Sequence, residues 1–253
     1  MLRLGPKNNI GFTLVELSIV LVVIGLIVGG IMVGKSLIDS SNIHAQVQQL
    51  EKYNTAYHTF KLKYNAIPGD MVNASDYWAG AVNGPGVGRL VNSAGWPYQI
   101  GNRLFFIHIS LAGLSNENII NSLVLGVGYP ELKISPGMGM VAGGQLHSLS
   151  SINGGLIQTS NPAVEAKRTA ALYLDVSSPI INGSNQQNNN IGTLTPQQGQ
   201  DIDRKIDDGK ARQGKFLSHR VYPTTQGNCL TGVDGNYLIS NTRNSCMGEY
   251  ILE

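Results

Sequence analysis

Hydrophobic and polar positions divide the chain into three stretches. Residues 1–11, MLRLGPKNNIG, are polar, weakly basic and end in glycine. From Phe12 the character changes abruptly, and Leu17 to Gly34 carries no charged residue over 18 positions. As a helix rising about 1.5 Å per residue, that run is about 27 Å long, close to the thickness of a hydrocarbon core. A second pattern comes after it. Ile43, Val47, Leu50, Tyr57, Phe60 and Tyr64 recur at steps of three or four, with Asn54 on one intervening step. His44, Gln48, Glu51, Lys52 and Lys61 fall mostly elsewhere. This is the period of a helix packed on one side. Pro68 and Gly69 are expected to stop it. A continuous helix from Phe12 to Tyr64 has 53 residues, roughly 80 Å.

Beyond Pro68 the periodicity weakens. PGDMVNASDYW (68–78) reads as a capping loop, and LFFIHISLA (104–112) as a short helix ending at Gly113, with a buried strand as the alternative. VLGVGY (124–129), LKISP (132–136), GGLIQT (154–159) and AALYLDV (170–176) read as strands of an antiparallel sheet. Residues 182–192, NGSNQQNNNIG, form a polar low-complexity loop. Thr195-Pro196-Gln197-Gln198 opens a helix through Ile202 and Ile206, with threonine as N-cap, proline in the first turn and Gln198 completing a capping box. Asp234-Gly235 is a hairpin-turn signal.

Composition narrows the function classes. Only 13% of the 253 residues are charged, against 42% hydrophobic, and 31 are glycine. That charged share is about half the usual one for a soluble protein. Arg3 and Lys7 account for the whole net charge of +2. The rest of the chain offers no basic face for nucleic acid and no polyanionic tail. No phosphate-binding glycine loop, zinc pair or nucleophile elbow occurs, so no cofactor, metal centre or catalytic group is expected, and the chain does not read as an enzyme. His108, Ser110 and Asp76 do not order into a triad.

The apolar run admits three readings. A secretory signal would be followed by a small-residue cleavage site, and none follows here. A plain membrane anchor fits the length, with Arg3 and Lys7 holding the N-terminus cytoplasmic. It leaves Glu16 unexplained, because a carboxylate at the edge of an apolar helix is unfavourable in lipid without a positive partner. Export also bears on Cys229 and Cys246: an even count in an exported chain favours a disulfide. That bond closes a loop of roughly 18 residues, on the order of 3 kcal/mol in the chain-entropy model.

The third reading rests on Gly11-Phe12-Thr13-Leu14-Val15-Glu16. This string resembles the prepilin motif of type IV pilins and type II secretion pseudopilins. The resemblance implies cleavage after Gly11 by a membrane peptidase and methylation of the new amine on Phe12. It also implies that Glu16 pairs with the N-terminal amine of a neighbouring subunit during assembly. The implied fold is α+β: a long N-terminal helix packed against a globular head with an antiparallel sheet. The implied organisation is a leader at 1–11, a transmembrane and assembly half-helix at 12–34, an amphipathic half-helix at 35–66 and a head at 67–253. The region bounded by Cys229 and Cys246 resembles the disulfide-bounded end of type IV pilins.

The implied role is a structural subunit of a type IV pilus or related filament, with a secretion pseudopilin or a tip adhesin as alternatives. Implied partners are copies of itself or other pilins, the prepilin peptidase, an inner-membrane assembly platform and membrane lipid. The implied location is the inner membrane with the head outside, then a filament. One departure matters: many members carry proline where this chain has Val33. Gly25, Gly29, Gly30 and Gly34 either loosen the same region or allow close helix packing. Major pseudopilins bind calcium, which draws attention to Asp70 and Asp76 and to IDRKIDDGK (202–210). Turn and cap roles fit the first pair better, and the spacing of the second does not match an EF-hand loop.

Overall fold

The computed structural model describes residues 12–90, 100–122, 124–144, 172–178, 192–220, 228–231 and 236–252. The leader 1–11 (with Gly11), the strand expected at 154–159, the polar loop before Gly192 and the turn expected at Asp234-Gly235 lie outside them.

Helix α1 runs from Leu14 to Tyr64 without interruption, 51 residues. Val33 and the four glycines sit within it as regular helix, and a methyl group built on any of those glycines meets nothing within 4 Å. The helix ends before Pro68. Asn65 takes a left-handed conformation at φ 48° and turns the chain away, a position asparagine tolerates better than most residues. The chain separates into two compact units, and the division falls inside α1, between Ser41 and Asn42.

In the second unit, α1 buries Ile43, Val47, Leu50, Tyr53, Ala56, Tyr57 and Phe60. Tyr53, rather than Asn54, fills the intervening step of the stripe. Two buried glutamines join it. The Gln46 side-chain oxygen accepts the Lys133 and Ile134 N–H groups at 2.9 and 3.3 Å, and its amide donates to Gln49. Gln49 in turn donates to the Glu131 carbonyl at 2.9 Å. This clasp satisfies backbone groups of residues 131–134 that no strand partner takes up. LKISP is therefore a loop hooked onto α1, with a turn closed by Met138 N–H on Ser135. VLGVGY is likewise a reversal, not a strand: Gly126 donates to Tyr129, and Gly128 to Val124.

A short helix α2, Ala74–Tyr77, comes after the first loop. Helix α3, Ile100–Leu111, is the core helix. Leu104, Phe105, Phe106, Ile107 and Ile109 are all buried, as befits a helix enclosed on every side. Phe106 meets Tyr53 edge-on at 5.2 Å. Gly113, at φ 69°, closes α3: its N–H bonds to Ser110, and Leu114 N–H reaches back to Ile109. That pair of bonds is a Schellman ending, which requires the left-handed residue that glycine supplies.

The sheet has four strands, all antiparallel: β1 Gly139–Gly144, β2 Leu172–Ser178, β3 Phe216–Arg220 and β4 Cys246–Leu252. The spatial order is β1-β2-β4-β3, so β4 is interior. Within β4, a side chain on Gly248 would strike the Phe216 ring, 2.5 Å from where its first carbon would stand. Helix α4, Pro196–Ile206, packs beside β3 and β4. Thr195 and Gln198 form the expected capping box in both directions, at 3.2 and 2.9 Å. The long helix and antiparallel head together make an α+β, pilin-like fold.

Candidate functional site at the start of the long helix

The site is assembled from consecutive residues. Thr13 is the N-cap of α1, and Glu16 stands three residues on. The Thr13 N–H and hydroxyl both donate to the same Glu16 carboxylate oxygen, each at 2.8 Å, while the Glu16 N–H bonds back to the Thr13 hydroxyl at 3.3 Å. This reciprocal box satisfies N–H groups that a helix start otherwise leaves bare. The carboxylate also sits at the positive end of the helix dipole. Thr13 is a site residue that the motif by itself does not single out. Its signal in the sequence is the pattern Thr-x-x-Glu immediately before an apolar run.

Beyond the box, the helix surface is exposed and greasy. Phe12 is 83% exposed, Leu21 70% and Leu26 73%, and Val15, Ile19, Val28 and Met32 are exposed with them. Among the described residues, α1 is the one helix long and apolar enough to cross a membrane. Such an area needs lipid or other apolar helices around it.

The structure places the other residues singled out in the sequence as structural groups of the second unit. Cys229 and Cys246 form a disulfide across a sequence separation of 17, tying the segment before Leu230 to the first residue of β4. Asp70 accepts the N–H groups of Val87 and Gly88 at 3.0 and 2.7 Å, closing its loop, and Asp76 lies in the first turn of α2. His108 is fully buried. Its Nδ1 accepts the Gly69 N–H at 2.9 Å, so Nε2 carries the proton and donates to the Val82 carbonyl, also at 2.9 Å. Burial holds its pKa below the ordinary value. The Ser110 hydroxyl is turned to the Glu117 carbonyl. Asp203, Asp207 and Asp208 lie together, within 4.8 Å by their carboxylate oxygens. Backbone N–H groups already occupy all three: Gly209 on Asp203; Asp208, Lys215 and Phe216 on Asp207; and Lys210 on Asp208.

The comparisons with known proteins point to the start of the helix. The prokaryotic N-terminal methylation motif matches residues 6–32. The chain thus carries the N-terminal signature of type IV prepilins and pseudopilins, proteins processed by prepilin peptidase. No curated protein and no solved structure matches the chain significantly. The motif and the apolar helix together fit a membrane-anchored, pilin-type structural protein.

Proposed function

We propose that the chain is a structural subunit of a type IV pilus or related filament, assembled through α1 after loss of residues 1–11. Cleavage falls between Gly11 and Phe12, and the new amine on Phe12 is methylated. Residues 12–34 hold the subunit in the inner membrane with the head outside, and afterwards pack among the same segments of neighbouring subunits. Residues 35–66 and 67–253 form the amphipathic half-helix and the head. The observation that carries this reading is the coincidence of three features on residues 6–32: the methylation motif, the exposed apolar helix, and Glu16 as the one charged group of that helix segment.

Glu16 pairs with the amine of a neighbouring Phe12 in this reading. The pairing removes the cost of a carboxylate in an apolar bundle and sets the stagger between subunits. No chemistry on a substrate is invoked. The disulfide at the far end of the chain favours a pilus over a secretion pseudopilus.

The test is mass spectrometry of protein from sheared surface filaments. It should return a chain beginning at Phe12 and bearing one methyl group. An assembled chain that still begins at Met1 or Leu2 would overturn the processing step. Separately, Glu16→Leu should leave the protein in the membrane and lower its share of the filament fraction more than tenfold. Normal incorporation would rule out the pairing.

A further inference from the structure

We propose that the hydrogen bond from Lys205 to His44 is an acid-released clip joining α1 to α4, and that its loss frees the turn of α1 next to the division at Ser41 and Asn42. The proposal does not depend on the filament reading. The Lys205 Nζ stands 3.0 Å from the His44 Nε2, across 161 residues of sequence. Both residues belong to the second unit. An imidazole nitrogen accepts or donates according to the tautomer, whereas an ammonium only donates. Lysine side chains ordinarily keep their proton up to about pH 10. The imidazole is therefore neutral, with a bare lone pair on Nε2 and its proton on Nδ1.

Protonation of His44 inverts this contact. An imidazolium carries an N–H on both nitrogens and has no lone pair left to accept with. Donor then faces donor, and two positive charges stand at hydrogen-bond distance. Both residues are exposed, so the proton arrives directly from water.

The surrounding charges do not compensate. On α1, the positions three and four away from His44 are Ser40, Ser41, Val47 and Gln48, all uncharged. Asp39 and Glu51 lie five and seven positions away. On α4, Arg204 is a further cation, with its stem by Gly209. Asp201 and Asp208 stand four before and three after Lys205, the helical steps at which side chains meet. Asp201 accepts the Gln197 amide at 2.9 Å, and Asp208 lies 4.0 Å from the Lys210 ammonium. Lys205 thus bonds across to α1 and not along its own helix. When His44 gains a proton, Asp201 is where the ammonium turns, since an acid four residues before a lysine is the favourable order on a helix.

The place of His44 on α1 decides what the clip holds. Among the described residues it is the first of that helix whose side chain bonds to another element; Gln46 and Gln49 come after it. Ile43 is the first buried residue of the helix. The turn from Asn42 to Ala45 therefore has one buried apolar anchor and one polar anchor, and acid removes the polar one. The clip is closed where imidazoles are ordinarily neutral, above about pH 6.5, and opens as pH falls through that range.

The experiment uses the full chain in detergent micelles, labelled with nitrogen-15 at histidine, with two variants. His44→Gln identifies the His44 signals by their absence and keeps a side-chain oxygen that accepts the ammonium at every pH. Lys205→Met removes the donor. At about pH 7.5 the wild type should show His44 neutral with its proton on Nδ1, and Lys205→Met should lose that preference. A His44 proton on Nε2 in the wild type overturns the proposal. Amide exchange over residues 43–48 is then compared between about pH 7.5 and about pH 5.5, as protection relative to unstructured peptide. Protection should fall about two- to fivefold further in the wild type than in His44→Gln, the worth of an exposed contact. Lys205→Met has no clip at either pH and should fall no further than His44→Gln. An equal fall in all three chains overturns the proposal, since acid then loosens α1 through another group such as His108.

Discussion

The two halves of α1 share one backbone and have opposite surroundings. Before Ser41, large apolar side chains such as Leu21 and Leu26 stand mostly exposed; after Asn42, Leu50 and Phe60 have no exposed surface at all. The polar groups differ in the same way. Glu16 is held by its own helix start, through Thr13, whereas Gln46 and Gln49 reach across to residues 131–134. A long helix is therefore not one energetic object. Its second half is held by the core of the head, and its first half needs partners from outside the chain. This is the division a subunit requires if one part folds by itself and the other assembles.

The contrast is broken most directly by paired truncations. Phe60→Ala should lower the stability of the head by about 3–5 kcal/mol, the usual cost of a large core cavity. Leu26→Ala should leave it within about 0.5 kcal/mol. Denaturant titration in detergent, followed by the near-ultraviolet signal of the head, measures both. A comparable loss from Leu26→Ala would abolish the distinction. Replacing both cysteines by serine should cost about 3 kcal/mol and act on the head alone. Gln46→Leu should cost about 1–3 kcal/mol, because it removes the acceptor of the Lys133 and Ile134 N–H groups.

Acid offers a gentler probe of the second unit. His108 is neutral in the fold, with a pKa held below its ordinary value by burial. Its stabilising contribution is present above about pH 6.5 and declines as pH falls below it, since the unfolded chain takes up a proton the folded one refuses. The denaturation midpoint should therefore drop between pH 7 and pH 5 in the wild type more than in His108→Gln. The smallest effect is at the other end. Thr13→Ala should speed amide exchange in the first turn of α1 and leave the head unchanged.

Legibility in the sequence tracks the range of the interactions. Helix α1 is readable from its apolar run and three-to-four spacing, α4 from four consecutive residues, and α3 from LFFIHISLA with Gly113. Each rests on contacts between near neighbours. The sheet is legible only at AALYLDV, which overlaps β2 over residues 172–176. GMVAGG and CMGEYIL, which form β1 and β4, carry glycine and little alternation, and their pairing depends on residues far away in the chain. VLGVGY and LKISP look like strands because they are apolar. Their backbone groups are satisfied within the reversals or by Gln46, a buried polar anchor that hydrophobic spacing passes over. At the candidate site, Gly11, Phe12 and Glu16 come from the motif, and Thr13 is visible as half of a capping box. Asp203 and Asp207 are visible as a four-residue step, but the burial of Asp203 against Tyr237 is not.

The position of β4 has a consequence for the order in which the head is made. Among the described strands, the latest in sequence is inserted into the middle of the sheet, flanked by β2 on one side and β3 on the other. Until Cys246–Leu252 have emerged, the strands that will flank them face an empty slot with unpaired edges, the kind of surface on which stray chains add. Deleting those seven residues would not trim a border. It would split the sheet in two and remove one half of the disulfide.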